Sequence, residues 1–145
     1  MSLRLTSVLA FALMVAAILW MYFQRVLLAR SITGMAVQAG AVALMIWARI
    51  TFGRRSFHAA ANPTSGGLVT SGPYAYVRHP IYAAAAYFVW AGAIEHHTPA
   101  AVAGAALLTV GALGRMLAEE HLLTSMYPAY AGYRQRTRRI VPFVF

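Results

Sequence analysis

The chain of 145 residues has no cysteine, and only three of its residues are acidic, all of them glutamate. Without cysteine, disulfides, thiolate metal sites and thiol catalysis are excluded, and the redox compartment leaves no mark on the sequence. Charge of either sign is scarce, at 10% of residues, whereas 61% are hydrophobic. No ordinary soluble protein has that balance, and the chain reads as a membrane protein, most simply a single domain over 1–145. What charge there is comes from twelve arginines, for a net +9. Such an excess by itself suits nucleic acid, anionic lipid or an anionic ligand. Here the arginines flank apolar runs instead of forming one basic face, which argues against nucleic acid.

The apolar runs set the architecture. Leu5 to Gln24 carries no charge. As a helix it is about 30 Å long, enough for a bilayer core and too long for the core of a signal peptide. The expected spans are 5–23, 32–48, 81–97 and 99–117, an all-α bundle whose last two helices form a hairpin. Ser31 is placed to cap the second span, and Thr98-Pro99 to open the fourth. Ile81 to Ile94 is a short apolar segment that reaches across a bilayer only if flanking residues join the helix. Ala83 to Ala86, Ala91, Gly92, Gly104, Gly111 and Gly114 supply the small residues that let membrane helices approach closely. Gln38, inside the second span, calls for a hydrogen bond to a neighbouring helix.

Counting arginines orients the bundle. An inside N-terminus puts Arg4, Arg49, Arg54, Arg55, Arg78, Arg115, Arg134, Arg136, Arg138 and Arg139 on the cytoplasmic side, and only Arg25 and Arg30 outside. The connection from Arg49 to Val77 is too polar for hydrocarbon and lies on that inner face, where the two arginines Arg54 and Arg55 serve first to retain it and, with His58, can meet lipid phosphates or the cofactor. The segment 124–145 is cytoplasmic as well, with a short amphipathic helix near Pro128 to Arg138 whose basic residues face headgroups while Tyr130 and Tyr133 pack inward. The membrane is a bacterial-type cytoplasmic membrane or the endoplasmic reticulum. Glu95-His96-His97 invites a metal reading, but adjacent histidines on a helix splay by about 100° and no third ligand shares their face, so a wet hairpin turn is expected.

Specific polar chemistry concentrates in Gly66 to Tyr82, GGLVTSGPYAYVRHPIY. Ser71-Gly72-Pro73 is a turn signal. Arg78 and His79 precede Pro80, a favoured first helical residue, so they stand at a helix N-terminus that attracts anions. On the fourth helix Arg115 and Glu119 are four residues apart and share a face, with Glu120 rotated by about 100°. Two glutamates near a membrane boundary need polar partners. A carboxylate there can accept both hydroxyls of a ribose, and its charge favours a nearby sulfonium.

LVTSGPYAYVRHPIY resembles the signature loop of the isoprenylcysteine carboxyl methyltransferase and phospholipid methyltransferase families, integral membrane enzymes that use S-adenosylmethionine. A second block supports the resemblance, Arg115-Met-Leu-Ala-Glu119-Glu120 continuing through Tyr130, Tyr133, Arg134, Arg138, Arg139 and Pro142. The two blocks together cover roughly the C-terminal half. Ala84 and Tyr127 depart from the family pattern, which commonly has glycine at both places. The resemblance implies cofactor contact at Gly66, Gly67, Leu68, Val69, Tyr74, His79, Pro80, Ile81, Tyr82 and Glu119, with Glu120 beside them, and contact with the methyl acceptor at Arg115. No metal is implied. The expected function is methyl transfer from S-adenosylmethionine to a lipophilic acceptor at the membrane interface. An isoprenylcysteine-type carboxylate, or a related carboxylate or thiol, suits Arg115 best. The alternatives are phospholipid N-methylation, a steroid-reductase-like oxidoreductase using a nicotinamide cofactor, and a small transport or scaffold protein.

Overall fold

Each helix begins where its local chemistry allows. Ser31 caps α2 (Ile32–Phe52), its hydroxyl accepting from Gly34 N at 3.0 Å. Thr98 caps α4 (Pro99–Met126) by accepting from Ala101 N at 3.1 Å, with Pro99 in the first turn where no N–H is needed. Pro80 opens α3 (Pro80–His96) in the same way, and His97 closes it in the left-handed conformation at φ 52°. The computed structural model describes residues 3–53 and 67–144. Gly66, Arg54, Arg55 and His58 therefore lie outside the described residues. With α1 (Leu3–Phe23) and α5 (Tyr130–Arg136), the described residues hold five α-helices, one 3-10 turn (Gly72–Ala75) and no strand, so the chain is all-α as expected.

Three helices, α1, α2 and α4, are long and apolar enough to cross a membrane. The fourth expected span, α3, has 17 residues, about 25 Å, which falls short of the roughly 20 residues a bilayer core requires. It is instead held on both sides, packing against α2 and α4, while α4 also packs along α1. The resulting order across the bundle is α1, α4, α3, α2. Between the first three lies the core of Met14, Met21, Val89, Ala93, Leu108 and Met116. α4 continues well beyond the expected end of its span, to Met126. Some 20 residues from Pro99 already cover the hydrocarbon thickness, so Glu119 and Glu120 fall at the membrane boundary on the helix's emerging end.

Small residues bring α1 and α4 together, as their spacing suggested. A side-chain carbon on Gly111 would lie 2.7 Å from Met14 Cγ and 2.8 Å from the Ala10 carbonyl, and one on Gly104 would collide with Met21. Gly92 meets the backbone of Val26 and Leu27 in the same way. In lipid, where apolar burial offers no driving force between helices, such close backbone approach is a main source of association. Gln38 supplies the polar counterpart. Its Nε2 donates to the Leu27 and Phe88 carbonyls at 2.8 and 3.1 Å, and its Oε1 accepts from Ala29 N at 3.0 Å, joining α2 to α3 and to the α1–α2 connection.

Candidate active site

The signature stretch folds around two fixed points. Gly72, at φ 57°, sits against Thr51, leaving 2.7 Å between a notional Cβ and Thr51 Oγ1, so only glycine allows the turn to seat on α2. Residues 77–79 then run beside a second segment, Thr137 to Arg139, paired in parallel through Val77 and Arg138. Arg78 N donates to Arg138 O at 2.6 Å, His79 N to Arg139 O at 3.0 Å, and Arg138 N to Tyr76 O at 3.3 Å. This short parallel pairing, with Val77 opposite Arg138, explains why α5 ends at Arg136, earlier than its expected end. Tyr133 reinforces it by donating to Tyr74 O at 2.7 Å.

With loop and tail fixed to each other, five charged side chains and one histidine converge on the emerging end of α4. Glu120 is the hub. Its carboxylate accepts from Arg78 Nε at 3.0 Å and from Arg139 Nη2 at 3.1 Å, and lies 3.2 Å from His79 Nε2. Arg78 also donates to the carbonyls of Thr137 and Arg134, at 2.5 and 3.1 Å, so one guanidinium ties loop, helix and tail together. Glu119, one residue earlier, faces a different set. It accepts a short hydrogen bond from Tyr82 Oη, meets Arg115 Nη2 at 3.2 Å, and lies 3.7 Å from His79 Nδ1. Arg115 Nε donates in turn to Tyr82 Oη at 2.6 Å, and its guanidinium carbon sits 5.2 Å from the Phe11 ring of α1. Three arginines face two glutamates, leaving a net charge of +1 before His79 is counted.

The structure thus brings together His79, Tyr82, Arg115, Glu119 and Glu120 of the expected site. Pro80 is buried at the start of α3 and Ile81 half-buried beside it. Tyr74 is buried in the 3-10 turn with its ring 5.4 Å from Phe52 of α2, and it lies within electrostatic reach of Glu119. Leu68 and Val69 are half-buried on the approach to the turn, and Gly67 is exposed there at φ 79°. Arg78, expected at the start of α3, both ties the loop to the tail and pairs with Glu120. Glu95 takes no part at this end, since it caps backbone at the opposite one, and His121 is exposed.

Several participants escaped sequence reasoning. Arg139 was expected only on the cytoplasmic side, as part of the second matching block, and it turns inward to Glu120. The signal that could have found it is extended alternation, which sends Arg138 and Arg139 to opposite sides. Phe11 left no signal, because nothing in an apolar run announces which helix it will face. Tyr130 was expected to pack inward and does, but its hydroxyl is the one buried side-chain polar atom without a partner among the described residues. Burial raises its pKa to about 12, with Glu120 adding to the effect, and burial likewise raises Tyr74 and Tyr133. All three remain neutral hydroxyls at physiological pH.

Comparison with known proteins yields a match to the family described as phospholipid methyltransferase, over residues 29–130. No curated protein and no solved structure matches the chain.

Proposed function

Because the chain belongs to the phospholipid methyltransferase family and carries membrane-spanning helices, we propose that it transfers a methyl group from S-adenosylmethionine to a lipophilic acceptor at the cytoplasmic face of its membrane. The observation that carries this reading is the pair of adjacent glutamates with unequal access. The Glu119 side chain keeps 24% exposure against 6% for Glu120. Glu120 is enclosed by cations and holds the loop in place, whereas Glu119 is the carboxylate an incoming group can reach.

The residues present fit S-adenosylmethionine. Glu119 is suited to accept ribose hydroxyls and to balance a sulfonium, while the net positive charge of the cluster suits the amino-acid carboxylate. Tyr82, Pro80 and Ile81 offer apolar cover for adenine, and the unpartnered Tyr130 hydroxyl, within electrostatic reach of both glutamates, offers one more polar contact. When bound, S-adenosylmethionine supplies an electrophilic methyl group on an already activated sulfonium. The protein's task is then alignment and exclusion of water. Arg115 is held for that task from three sides, by Tyr82 Oη, Glu119 and the Phe11 ring, and in this reading it orients the acceptor.

A carboxylate acceptor of isoprenylcysteine type, or a thiolate, is matched in charge to Arg115 and needs no general base. A phospholipid amine is the second reading. It is favoured by the Arg115–Glu119 pairing at 3.2 Å, which neutralises the guanidinium that would otherwise repel an ammonium. Glu119 would then be the nearest group able to take the amine's proton.

Titration of the purified protein with S-adenosylmethionine and NADPH tests the class. Saturable binding of the first and none of the second is expected, and the reverse would replace methyl transfer by nicotinamide chemistry. Incubation of membranes with methyl-labelled donor then separates the acceptors. Label released as methanol by mild alkali marks an ester, and alkali-stable label in phospholipid marks an amine.

A further inference from the structure

On the outer side of the loop–tail pairing lies a cavity of about 210 Å³ lined by Ala75, Tyr76, Gln135, Arg136, Arg138 and Phe143. Its two arginines have no acidic side chain to meet. The chain has three in all. Glu95 is at the far end of the bundle against Ser31, and Glu119 and Glu120 are engaged by Arg78, Arg115 and Arg139. Arg136 reaches only the Gly132 carbonyl, at 3.3 Å, and the Arg138 guanidinium makes no hydrogen bond or ion pair among the described residues. Arg138 is held facing outward by its own backbone. Its N–H and carbonyl pair with Tyr76 and Arg78, Arg139 next to it points inward to Glu120, and extended backbone sends consecutive side chains to opposite sides. At this end of the bundle Tyr76, Phe143 and Val144 are strongly exposed.

We propose that this cavity binds the phosphate headgroup of an anionic phospholipid from the surrounding bilayer, at a site separate from the Glu119 cluster. Arg136, Arg138 and Gln135 supply charge and hydrogen bonds to phosphate oxygens, and the exposed apolar side chains meet the glycerol and upper acyl chain. The apolar rim favours a lipid over soluble phosphate. Because Arg138 is joined through its backbone to the residue preceding His79, a bound headgroup braces the tail against the loop that carries the active site. The site depends on the chain being embedded in a membrane and not on the identity of the methyl acceptor.

Thermal unfolding of the detergent-solubilised protein tests this, with added phosphatidylglycerol, phosphatidylcholine or inorganic phosphate. Phosphatidylglycerol is expected to raise the melting temperature saturably and in a salt-sensitive way, and phosphatidylcholine and phosphate are not. Each arginine near an anionic lipid surface is expected to contribute about fivefold in affinity. Arg136→Gln with Arg138→Gln should therefore move the midpoint of the lipid response about 25-fold upward. The corresponding lysine pair should keep most of the response, and Arg25→Gln with Arg30→Gln, at the other end, should keep all of it. The proposal is overturned if phosphatidylcholine stabilises equally, if inorganic phosphate reproduces the shift, if the opposite-end pair is as damaging, or if the lysine pair loses the response along with the glutamine pair.

Discussion

The two ends of the bundle use acidic residues in opposite ways. At the end that holds the α1–α2 and α3–α4 connections, Glu95 accepts from the backbone N–H groups of Arg30 and Ser31 and from the Ser31 hydroxyl at 2.8 Å, and His96 donates to the Leu28 carbonyl at 2.9 Å. Gln38 saturates the next carbonyls inward. Every one of these side chains completes backbone hydrogen bonding at the helix ends and connections. At the other end Glu119 and Glu120 face arginines, a histidine and a tyrosine, all of them side chains that can change partner. A group that satisfies backbone must stay where it is, whereas a side-chain ion cluster can exchange one of its contacts for a ligand. The difference makes one end a closure and the other the candidate site.

The sharpest way to break that contrast is to remove the hub. Glu120→Gln leaves Arg78 and Arg139 without their shared counter-charge in a buried place, and a loss of about 3 kcal/mol is expected, read as a large fall in melting temperature together with loss of donor binding. An unchanged melting temperature would mean that the cations are served by water and that Glu120 is not structural. Next in size is Glu119→Gln. It retains the shape and one acceptor oxygen, so folding should persist while affinity for S-adenosylmethionine falls by about one to two orders of magnitude. Arg115→Ala should by contrast spare donor affinity and depress turnover with acceptor. If it abolishes donor binding, the division of roles along α4 is wrong.

Tyr133→Phe deprives the Tyr74 carbonyl of its donor and should cost about 1 kcal/mol, accompanied by faster amide exchange at Arg78 and His79 if the loop and tail separate as a unit. Equal exchange throughout the chain would argue that the pairing is not held by that bond. The smallest effect is expected at the opposite end, where Glu95→Gln keeps an acceptor for the α2 N-terminus. A slight drop in melting temperature with unaltered donor affinity would confirm that this end is only closure, and a change in affinity would show the ends to be coupled.

Much of the scaffold was legible because it depends on near neighbours in the chain. The Ser31 and Thr98 caps, Pro80 and Pro99 at helix starts, the turn at Gly72 and the hydrogen-bond demand of Gln38 follow from backbone chemistry within a few residues. So does the common face of Arg115 and Glu119, which the helical repeat dictates. The third span was harder. Composition marked Pro80–His96 as apolar helix, but whether 17 residues cross or are carried by neighbours depends on α2 and α4 packing on both sides.

What the sequence by itself determined is therefore an all-helical membrane chain with its polar chemistry gathered at Arg78, His79, Tyr82, Arg115, Glu119 and Glu120, because charge and hydropathy along a chain constrain which residues can leave hydrocarbon. Only the tertiary structure decided how that chemistry is divided. The neighbour order α1, α4, α3, α2 put Phe11 beneath Arg115, and the pairing of residues 77–79 with 137–139 turned Arg139 toward Glu120 and Arg138 away from it. Two adjacent glutamates, set apart in sequence only by their helix faces, became an enclosed hub and a more exposed carboxylate, since burial and partner are set by residues far away in sequence.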